Sequence, residues 1–289
     1  PAVPNLEQLM KTVAITGTRK CELRNVPEPN VQGEFVKVKI LSAPMCTEYK
    51  AYQNDGSSTN LGHEAAGEVA EIATSNLLEV GDRVVVMPTY ACGRCGLCIR
   101  GDYIHCRNNV NALAFCGSET GTATYAQYCI KPDWLCLPVP DDISIDHAAM
   151  ACCGLGPAFN AMVRMNVDAF DTVLVTGLGP VGLGAVVNAV VRGARVIAVE
   201  SHPFRTNLAL EIGAEAVLDP QVALDDQLDP RPASAVRQRR RCGDVPDRSA
   251  GELEHHDLGV RNRVVLGVRV DAQRFLLVDL DDVASEHPQ

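Results

Sequence analysis

The sequence is short of positive charge. Its 26 lysines and arginines face 36 aspartates and glutamates, which leaves a formal net charge of −10 at pH 7. The phosphates of nucleic acids and the headgroups of anionic lipids repel such a chain. We therefore expect neither a nucleic acid nor a membrane surface as its main partner.

The sequence also lacks an unbroken apolar run of membrane-spanning length and an apolar leader. Residues 172–191 are uncharged, but Gly177, Gly179, Pro180 and Asn188 interrupt the stretch, which argues against a membrane helix. No positively charged segment followed by an apolar stretch opens the chain, so nothing indicates secretion. We expect a cytoplasmic, reducing compartment.

Cysteine is plentiful, with 12 in the chain, and four of them lie close together. In a reducing compartment, clustered thiols more often bind metal than form disulfides. Cys92, Cys95, Cys98 and Cys106 have the short spacing that closes a tetrahedral site, and zinc with four sulfur ligands has no open position. The spacing predicts a structural zinc site, and the alternative is a loop of free or disulfide-bonded cysteines.

A glycine-rich stretch follows the apolar segment 173–176. Gly177, Gly179 and Gly182 form the pattern Gly-x-Gly-x-x-Gly, and Glu200 ends the next apolar segment. In a dinucleotide-binding βαβ unit these glycines form the tight turn, admit the pyrophosphate and let helix and strand pack closely. The carboxylate then accepts hydrogen bonds from the adenosine ribose. The pattern therefore predicts a Rossmann unit that binds a dinucleotide.

A second set of potential metal ligands is scattered along the chain. His63 precedes Glu64, Cys46 lies upstream, and Cys152 or Cys153 lies far downstream. One histidine and two cysteines can hold zinc with the fourth position open, which is the arrangement of catalytic zinc sites. Taken singly, each of these residues is more often an ordinary core residue.

Together these motifs resemble the zinc-dependent medium-chain alcohol dehydrogenases, a family that includes sorbitol and threonine dehydrogenase-like enzymes. The matching motifs are Gly62-His63-Glu64 with Gly67, Gly81-Asp82-Arg83-Val84, the four clustered cysteines, and the glycine pattern with Glu200. The resemblance covers about residues 10–220. It implies an α/β plus β protein, in which a GroES-like β-barrel domain precedes a Rossmann doubly wound domain. It also implies hydride transfer between a small alcohol or polyol and NAD, with zinc at a catalytic and a structural site.

The resemblance divides the chain into three segments. Residues 1–153 are expected to form the GroES-like catalytic domain, with the zinc lobe at 92–106, and residues 154–220 the first half of the Rossmann domain. Residues 221–289 depart from the family, because they contain arginine but no lysine and show no glycine-punctuated strand. Residues 264–270 and 275–280 have strand character in no recognisable order. We expect a disordered or frame-shifted tail and an incomplete Rossmann domain, so the alternative function is zinc and NAD binding without turnover.

The resemblance also assigns roles to single residues. The residues assigned to the catalytic zinc are Cys46, His63, Glu64 and Cys153. The residues assigned to NAD are Gly177, Gly179, Pro180, Val181, Gly182, Glu200 and Arg205. Cys152 remains the alternative to Cys153. The family places a serine or threonine relay two residues after the first cysteine ligand, where this chain has Glu48, preceded by Thr47. The proton-relay role therefore stays open between these two, and both could be simple polar residues of the cleft. We expect a small-molecule alcohol substrate and a homo-oligomer.

Overall fold

We describe the protein from a computed structural model. The described residues are 8–54, 56–112 and 121–221, together with the backbone of two short strands, Asn262–Val265 and Leu277–Asp279. The chain divides into two compact units, Pro1–Gly156 and Pro157–Gln289. Among the described residues, no helix combines the length and apolar character needed to cross a bilayer.

The first unit is built mainly from antiparallel strands. They are β1 (Leu9–Gly17), β2 (Lys20–Pro27), β3 (Phe35–Ser42), β4 (Ala65–Ile72), β5 (Arg83–Val86), β6 (Tyr128–Pro132) and β7 (Cys136–Pro138). Strands β3 to β7 form one sheet in the order β6-β3-β4-β5-β7, and β1 pairs with β2 in a hairpin. Val36, Val38, Val69 and Val84 are fully buried in one cluster. Alternate strand residues share a face, so these valines line the core side of the sheet.

Short helices connect the strands of the first unit. They are α1 (Glu48–Gln53), α2 (Gly96–Ile99) and α3 (Ile145–Ala149). Ser144 caps the N-terminus of α3, and its hydroxyl accepts a hydrogen bond from the His147 amide. A π-helical turn, Ala151–Leu155, follows α3. Such turns insert an extra residue into a helix and are frequent at functional sites.

The second unit contains a mostly parallel sheet with intervening helices. Its elements up to residue 218 are α4 (Gly156–Arg164), β8 (Thr172–Thr176), α5 (Pro180–Val191), β9 (Arg195–Val199), α6 (Pro203–Ile212) and β10 (Ala216–Leu218). Val173 and Val175 of β8 pack with Val186 of α5 in the core. Strands β8, β9 and β10 pair in parallel, so this segment is the βαβαβ unit predicted from the glycine pattern.

Two further strands of this sheet come from the tail. β11 (Asn262–Val265) pairs in parallel with β8, and β12 (Leu277–Asp279) pairs antiparallel with β11. The described sheet order is therefore β10-β9-β8-β11-β12, with β8 between β9 and β11, as at the switch point of a doubly wound sheet. The local pattern predicted strand character in this part of the chain but no strand order, because pairing with β8 is a long-range contact. The predicted disorder or frame shift covers residues 221–289, and apart from Gln221 and the backbone of these two strands that segment lies outside the described residues.

Candidate metal centres and cofactor loop

The four clustered cysteines converge on one point. Their sulfur separations are 3.9 Å for Cys92–Cys98, 3.5 Å for Cys95–Cys98, 3.9 Å for Cys95–Cys106 and 3.6 Å for Cys92–Cys106. Four sulfurs at about 2.3 Å from a tetrahedral zinc ion lie about 3.8 Å from one another. The observed separations scatter around that value, so the four thiols fit a zinc ion.

Backbone amides reinforce this fit. The amides of Cys92 and Asn108 each point at Cys106 Sγ from 3.4 Å. Amide donors, foremost that of Arg94, lower the pKa of Cys92 to about 6, whereas burial raises that of Cys98 to about 12. Adjacent thiolates repel one another, so all four cysteines ionise together only around a cation.

The loop that carries these cysteines is held by Trp134. Gly93 has a φ of +73°, and a Cβ at this position would lie 2.7 Å from the indole ring. The indole N–H donates to the Ala91 carbonyl at 3.3 Å. Leu135, fully buried, packs in the same cluster as the thiols. A glycine is required here because the ring occupies the space of a side chain and the backbone is left-handed.

The scattered ligands form a second group. Ligand atoms of Cys46, His63, Glu64 and Cys153 all lie within 4.8 Å of one another, and His63 Nε2 is 3.2 Å from Cys153 Sγ. Cys46 immediately precedes Thr47 and α1, the His-Glu pair precedes β4, and Cys153 lies in the π turn. Imidazole, carboxylate and two thiols are the donors that zinc prefers, so this group also fits a zinc ion.

Glu64 links the segment that carries His63 to the segment that carries Cys153. Its carboxylate is buried and accepts a hydrogen bond from the Cys153 amide at 3.0 Å, across 89 positions of sequence. Its own carbonyl oxygen accepts the hydroxyl of Thr124 at 3.0 Å. Burial raises the pKa of Glu64. An anion is therefore costly at this position unless a cation lies nearby, which is consistent with a metal site.

The adjacent cysteines Cys152 and Cys153 face different surroundings. The sulfur of Cys152 lies 3.6 Å from the Val86 carbonyl oxygen and 3.6 Å from the Met87 sulfur. Cys153 instead lies with His63 and Glu64. The structure thus brings Cys153, and not Cys152, into the group.

Glu48 contacts His63 rather than facing away from it. Glu48 Oε1 lies 2.6 Å from His63 Nδ1, and Glu48 Oε2 accepts the Cys46 amide at 3.1 Å. The hydrogen bond to Glu48 is the main cause that raises the pKa of His63. Burial acts to raise the pKa of Glu48, but the hydrogen bonds that Glu48 accepts lower its pKa overall. A carboxylate on Nδ1 leaves Nε2 free to bind metal and fixes the ring. This contact was not foreseen from the sequence, although a carboxylate two positions after a cysteine ligand was a visible signal.

Thr47, the other relay candidate, is exposed and occupies the position before α1. Its side chain makes no hydrogen bond that caps the helix. The two relay candidates therefore differ in their surroundings, since one is hydrogen-bonded to His63 and the other faces solvent.

The glycine loop has the geometry of an anion site. Gly177 follows β8 with a φ of +80°, and its amide donates to the Val199 carbonyl at 2.8 Å. Gly179 precedes α5 with open space in front of it, and a Cβ on Gly182 would overlap the Gly177 carbonyl. Pro180 and Val181 begin the helix, whose first amides point toward the loop. A helix N-terminus of this kind favours a phosphate group.

Glu200 stands at the carboxyl end of β9, beside this loop. Its Oε2 accepts the Leu178 amide at 2.9 Å, and its Oε1 accepts the amides of Ser201 and His202, both at 2.9 Å. Arg205 Nη1 lies 3.2 Å from Oε2. Burial acts to raise the pKa of Glu200, but these donors lower it overall, so the carboxylate is ionised and fixed in orientation.

The fold and the site residues together define a class of protein: a β unit with two candidate zinc centres, followed by a dinucleotide-type α/β unit. Comparison with known proteins agrees. Residues 33–141 match the alcohol dehydrogenase GroES-like domain. Over about three quarters of its length, the chain is similar to zinc-type alcohol dehydrogenases and to sorbitol and threonine dehydrogenases. The family resemblance and the α/β plus β fold class predicted from the sequence are thereby confirmed.

Individual relatives show how far the likeness extends. Sorbitol dehydrogenase of Bacillus subtilis is 30% identical over 223 residues, which is 73% of this chain and 62% of that protein. L-threonine 3-dehydrogenase of Pyrococcus furiosus is 35% identical over 222 residues, 73% of this chain and 61% of the relative. An alcohol dehydrogenase of Escherichia coli CFT073, solved with NADH, is 25% identical with a TM-score of 0.62, covering 75% of this chain and 65% of that one. The chain thus spans about three fifths of the length of these curated relatives.

Proposed function

We propose that the protein is an oxidoreductase that transfers a hydride between a small alcohol and NAD at a zinc centre. The observation that carries this proposal is the convergence of Cys46, His63, Glu64 and Cys153 within 4.8 Å. The names of the relatives, sorbitol and threonine dehydrogenases, support the reaction class. The NADH-bound dehydrogenase from Escherichia coli supports the cofactor.

The residues have distinct tasks in this proposal. Cys46, His63 and Cys153 would hold the catalytic zinc, with Glu64 as a fourth potential ligand. Zinc bound there supplies a Lewis acid that lowers the pKa of an alcohol hydroxyl. Glu48 fixes the tautomer of His63 through Nδ1. This leaves Thr47, whose side chain is exposed to solvent, as the proton-relay candidate. The lobe of Cys92, Cys95, Cys98 and Cys106 holds a second, structural zinc.

The cofactor residues have separate tasks. Amides at the start of α5, reached past Gly177, Gly179 and Gly182, hold the pyrophosphate. Glu200 accepts the ribose hydroxyls and repels a 2′-phosphate, so we propose NAD rather than NADP. Arg205 holds Glu200 in place. A cytoplasmic location and a homo-oligomeric state remain predictions.

The experiment uses the full chain purified with zinc. The protein is mixed with NAD and a panel of alcohols, and NADH is followed by absorbance. We expect turnover that is abolished by His63→Ala and retained by His147→Ala, since the side chain of His147 is exposed and belongs to neither metal group. Saturable NAD binding without NADH formation from any alcohol would instead favour the alternative of a binding protein without turnover.

A further inference from the structure

Strand β2 lies at an edge of the first unit. Within the part of the chain that the structure describes, β2 pairs only with β1, in an antiparallel hairpin. Residues 20–25 of β2 are all exposed. An exposed strand with an unpaired edge is a template for pairing with another strand, so we examined which strand this edge fits.

The hydrogen bonds of β1 show which backbone groups of β2 point outward. The amides of Val13 and Ile15 donate away from β2, to carbonyl oxygens of other segments, both at 2.9 Å. In an antiparallel ladder, two residues opposite each other exchange both backbone hydrogen bonds or none. Leu23 lies opposite Val13 and Cys21 lies opposite Ile15, so the N–H and C=O groups of Leu23 and Cys21 point to the outer edge. Asn25, two residues beyond Leu23, has the same orientation.

This outer edge is short and bounded at both ends. Before β2 the chain turns at Arg19, which has a φ of +55°. At the other end, Pro27 is the last residue of the strand and has no amide hydrogen to donate. The residues between these limits whose backbone groups face outward are Cys21, Leu23 and Asn25. A strand of about the same length is therefore the partner that fits this edge.

The charges along β2 are self-complementary. Glu22 and Arg24 lie on one face of the strand, with their side chains 50% and 43% exposed. If two β2 strands pair antiparallel about a twofold axis at Leu23, Glu22 of each copy lies opposite Arg24 of the other. These residues then form the pairs without backbone hydrogen bonds, whose Cα atoms are only about 4.5 Å apart. Opposite charges stabilise such a pair, and like charges destabilise it.

Other twofold registers are less favourable. An axis at Glu22 would place the two Glu22 carboxylates opposite each other, and an axis at Arg24 would do the same with the two guanidinium groups. An axis at Cys21 would pair about three residues of each strand, because the turn before β2 ends the overlap. The axis at Leu23 brings opposite charges together and also allows the longest overlap.

We propose that two copies of this chain associate through their β2 strands, which pair antiparallel about a twofold axis at Leu23 and join the two hairpins into one sheet. Leu23 is 68% exposed in the single chain, and in the pair it lies against Leu23 of the second copy, so apolar surface is removed from water at the axis. The outward groups form about six backbone hydrogen bonds across the pair. The surface lies within the first unit and requires neither zinc nor NAD.

Sedimentation velocity of the full chain between about 1 and 100 µM tests the association, since a single strand pair is a small interface and should give a reversible dimer. We expect Glu22→Arg and Arg24→Glu each to raise the dissociation constant about tenfold, because like charges then meet twice by symmetry. The double variant exchanges the two charges and should return the dissociation constant to within about twofold of wild type. Glu211→Arg, the same charge change on an exposed residue of α6, is the matched control and should have no effect.

A cross-link tests the register without changing these charges. Opposite residues of a hydrogen-bonded antiparallel pair have Cα atoms about 5.5 Å apart, a distance that a disulfide spans. In a Cys21→Ser background, Leu23→Cys should therefore form an interchain disulfide on mild oxidation with glutathione disulfide. Lys20→Cys in the same background should not, because Lys20 lies opposite Val26 of the second copy in this register. Non-reducing electrophoresis gives the cross-linked fraction, and melting temperatures show whether each variant is folded.

The outcomes separate this proposal from the proposed reaction. A chain that stays monomeric over the whole concentration range would refute the strand pairing. A dimer that the single charge variants do not weaken, a double variant that is not restored, or equal cross-linking of Lys20→Cys and Leu23→Cys would refute it as well. All of these results leave NADH formation to be judged by its own assay, and a dimer with the expected properties but no NADH formation would support the pairing and refute the reaction.

Discussion

Replacing Glu48 by glutamine tests whether this carboxylate positions His63 for metal. Glutamine keeps the size of the side chain but places an NH2 group where one carboxylate oxygen stands. The variant must then present a donor either to His63 Nδ1 or to the Cys46 amide, which are bonded at 2.6 Å and 3.1 Å in the native protein. Loss of such an outer contact reduces metal affinity by about 10–100-fold, equivalent to about 1.4–2.7 kcal/mol.

The assay is competition with a chromophoric chelator, which resolves a tightly and a less tightly held zinc. We expect Glu48→Gln to weaken one zinc and to leave the zinc of the cysteine lobe unchanged. Glu68→Gln, an exposed neighbour on β4, is the matched control. If Glu48→Gln and the control released both zinc ions at the same chelator concentrations as wild type, the positioning role would be refuted.

The same ion pair predicts a pH dependence for the metal-free protein. The pKa of His63 is raised and that of Glu48 is lowered in the fold. The raised pKa of His63 stabilises the fold at low pH, and this contribution is lost as the pH rises through the pKa of the folded state. The lowered pKa of Glu48 stabilises the fold at higher pH, and this contribution is lost as the pH falls through the pKa of the folded state. The pair therefore stabilises the metal-free fold between these two values. Urea unfolding across pH should show that Glu48→Gln lowers the free energy of unfolding most at pH values between the two pKa values. Identical pH profiles for the variant and the wild type would contradict the ion pair.

Three further predictions concern the other residues of the sites. Cys95→Ser should lose one zinc per chain and lower the urea midpoint, because metal binding contributes to folding; an unchanged metal content would contradict the four-thiolate site. Glu200→Ala should narrow the preference for NAD over NADP in calorimetric titrations by about tenfold, whereas equal wild-type affinities would show that Glu200 does not contact the ribose. Cys153→Ala should lose the less tightly held zinc, and Cys152→Ala should retain it. If metal analysis found that zinc in Cys153→Ala and not in Cys152→Ala, Cys152 would be the ligand instead.

Features encoded by short sequence spacing were predictable. The Cys92–Cys106 lobe and the loop from Gly177 to Gly182 lie within a few turns of chain, so residue spacing alone sets their geometry. The choice between Cys152 and Cys153 depended on matching a known motif, because both cysteines lie in a π turn, whose side-chain directions differ from those of a regular α-helix.

Features that depend on distant contacts were harder to predict. Glu48 and His63 are 15 positions apart, and only the tertiary fold of the first unit brings them together. The place of β11 beside β8 depends on strand pairing across a long intervening segment, which local hydrophobic pattern does not encode. A pocket in the first unit is likewise lined by residues from β1, α1 and the segment around Tyr125.

The hydrogen bond between Glu64 and Cys153 shows that the two metal groups cross-link the chain over very different distances. Glu64 and Cys153 are separated by 89 positions, whereas Cys92 and Cys106 are separated by 14. The entropic free-energy cost of closing a loop of n residues grows as (3/2)RT ln n. Closing the 89-residue loop in the unfolded chain therefore costs about 1.6 kcal/mol more than closing the 14-residue loop. A metal ion in the second group would thus cross-link distant segments of the β unit. Its removal would destabilise the unit as a whole rather than one loop.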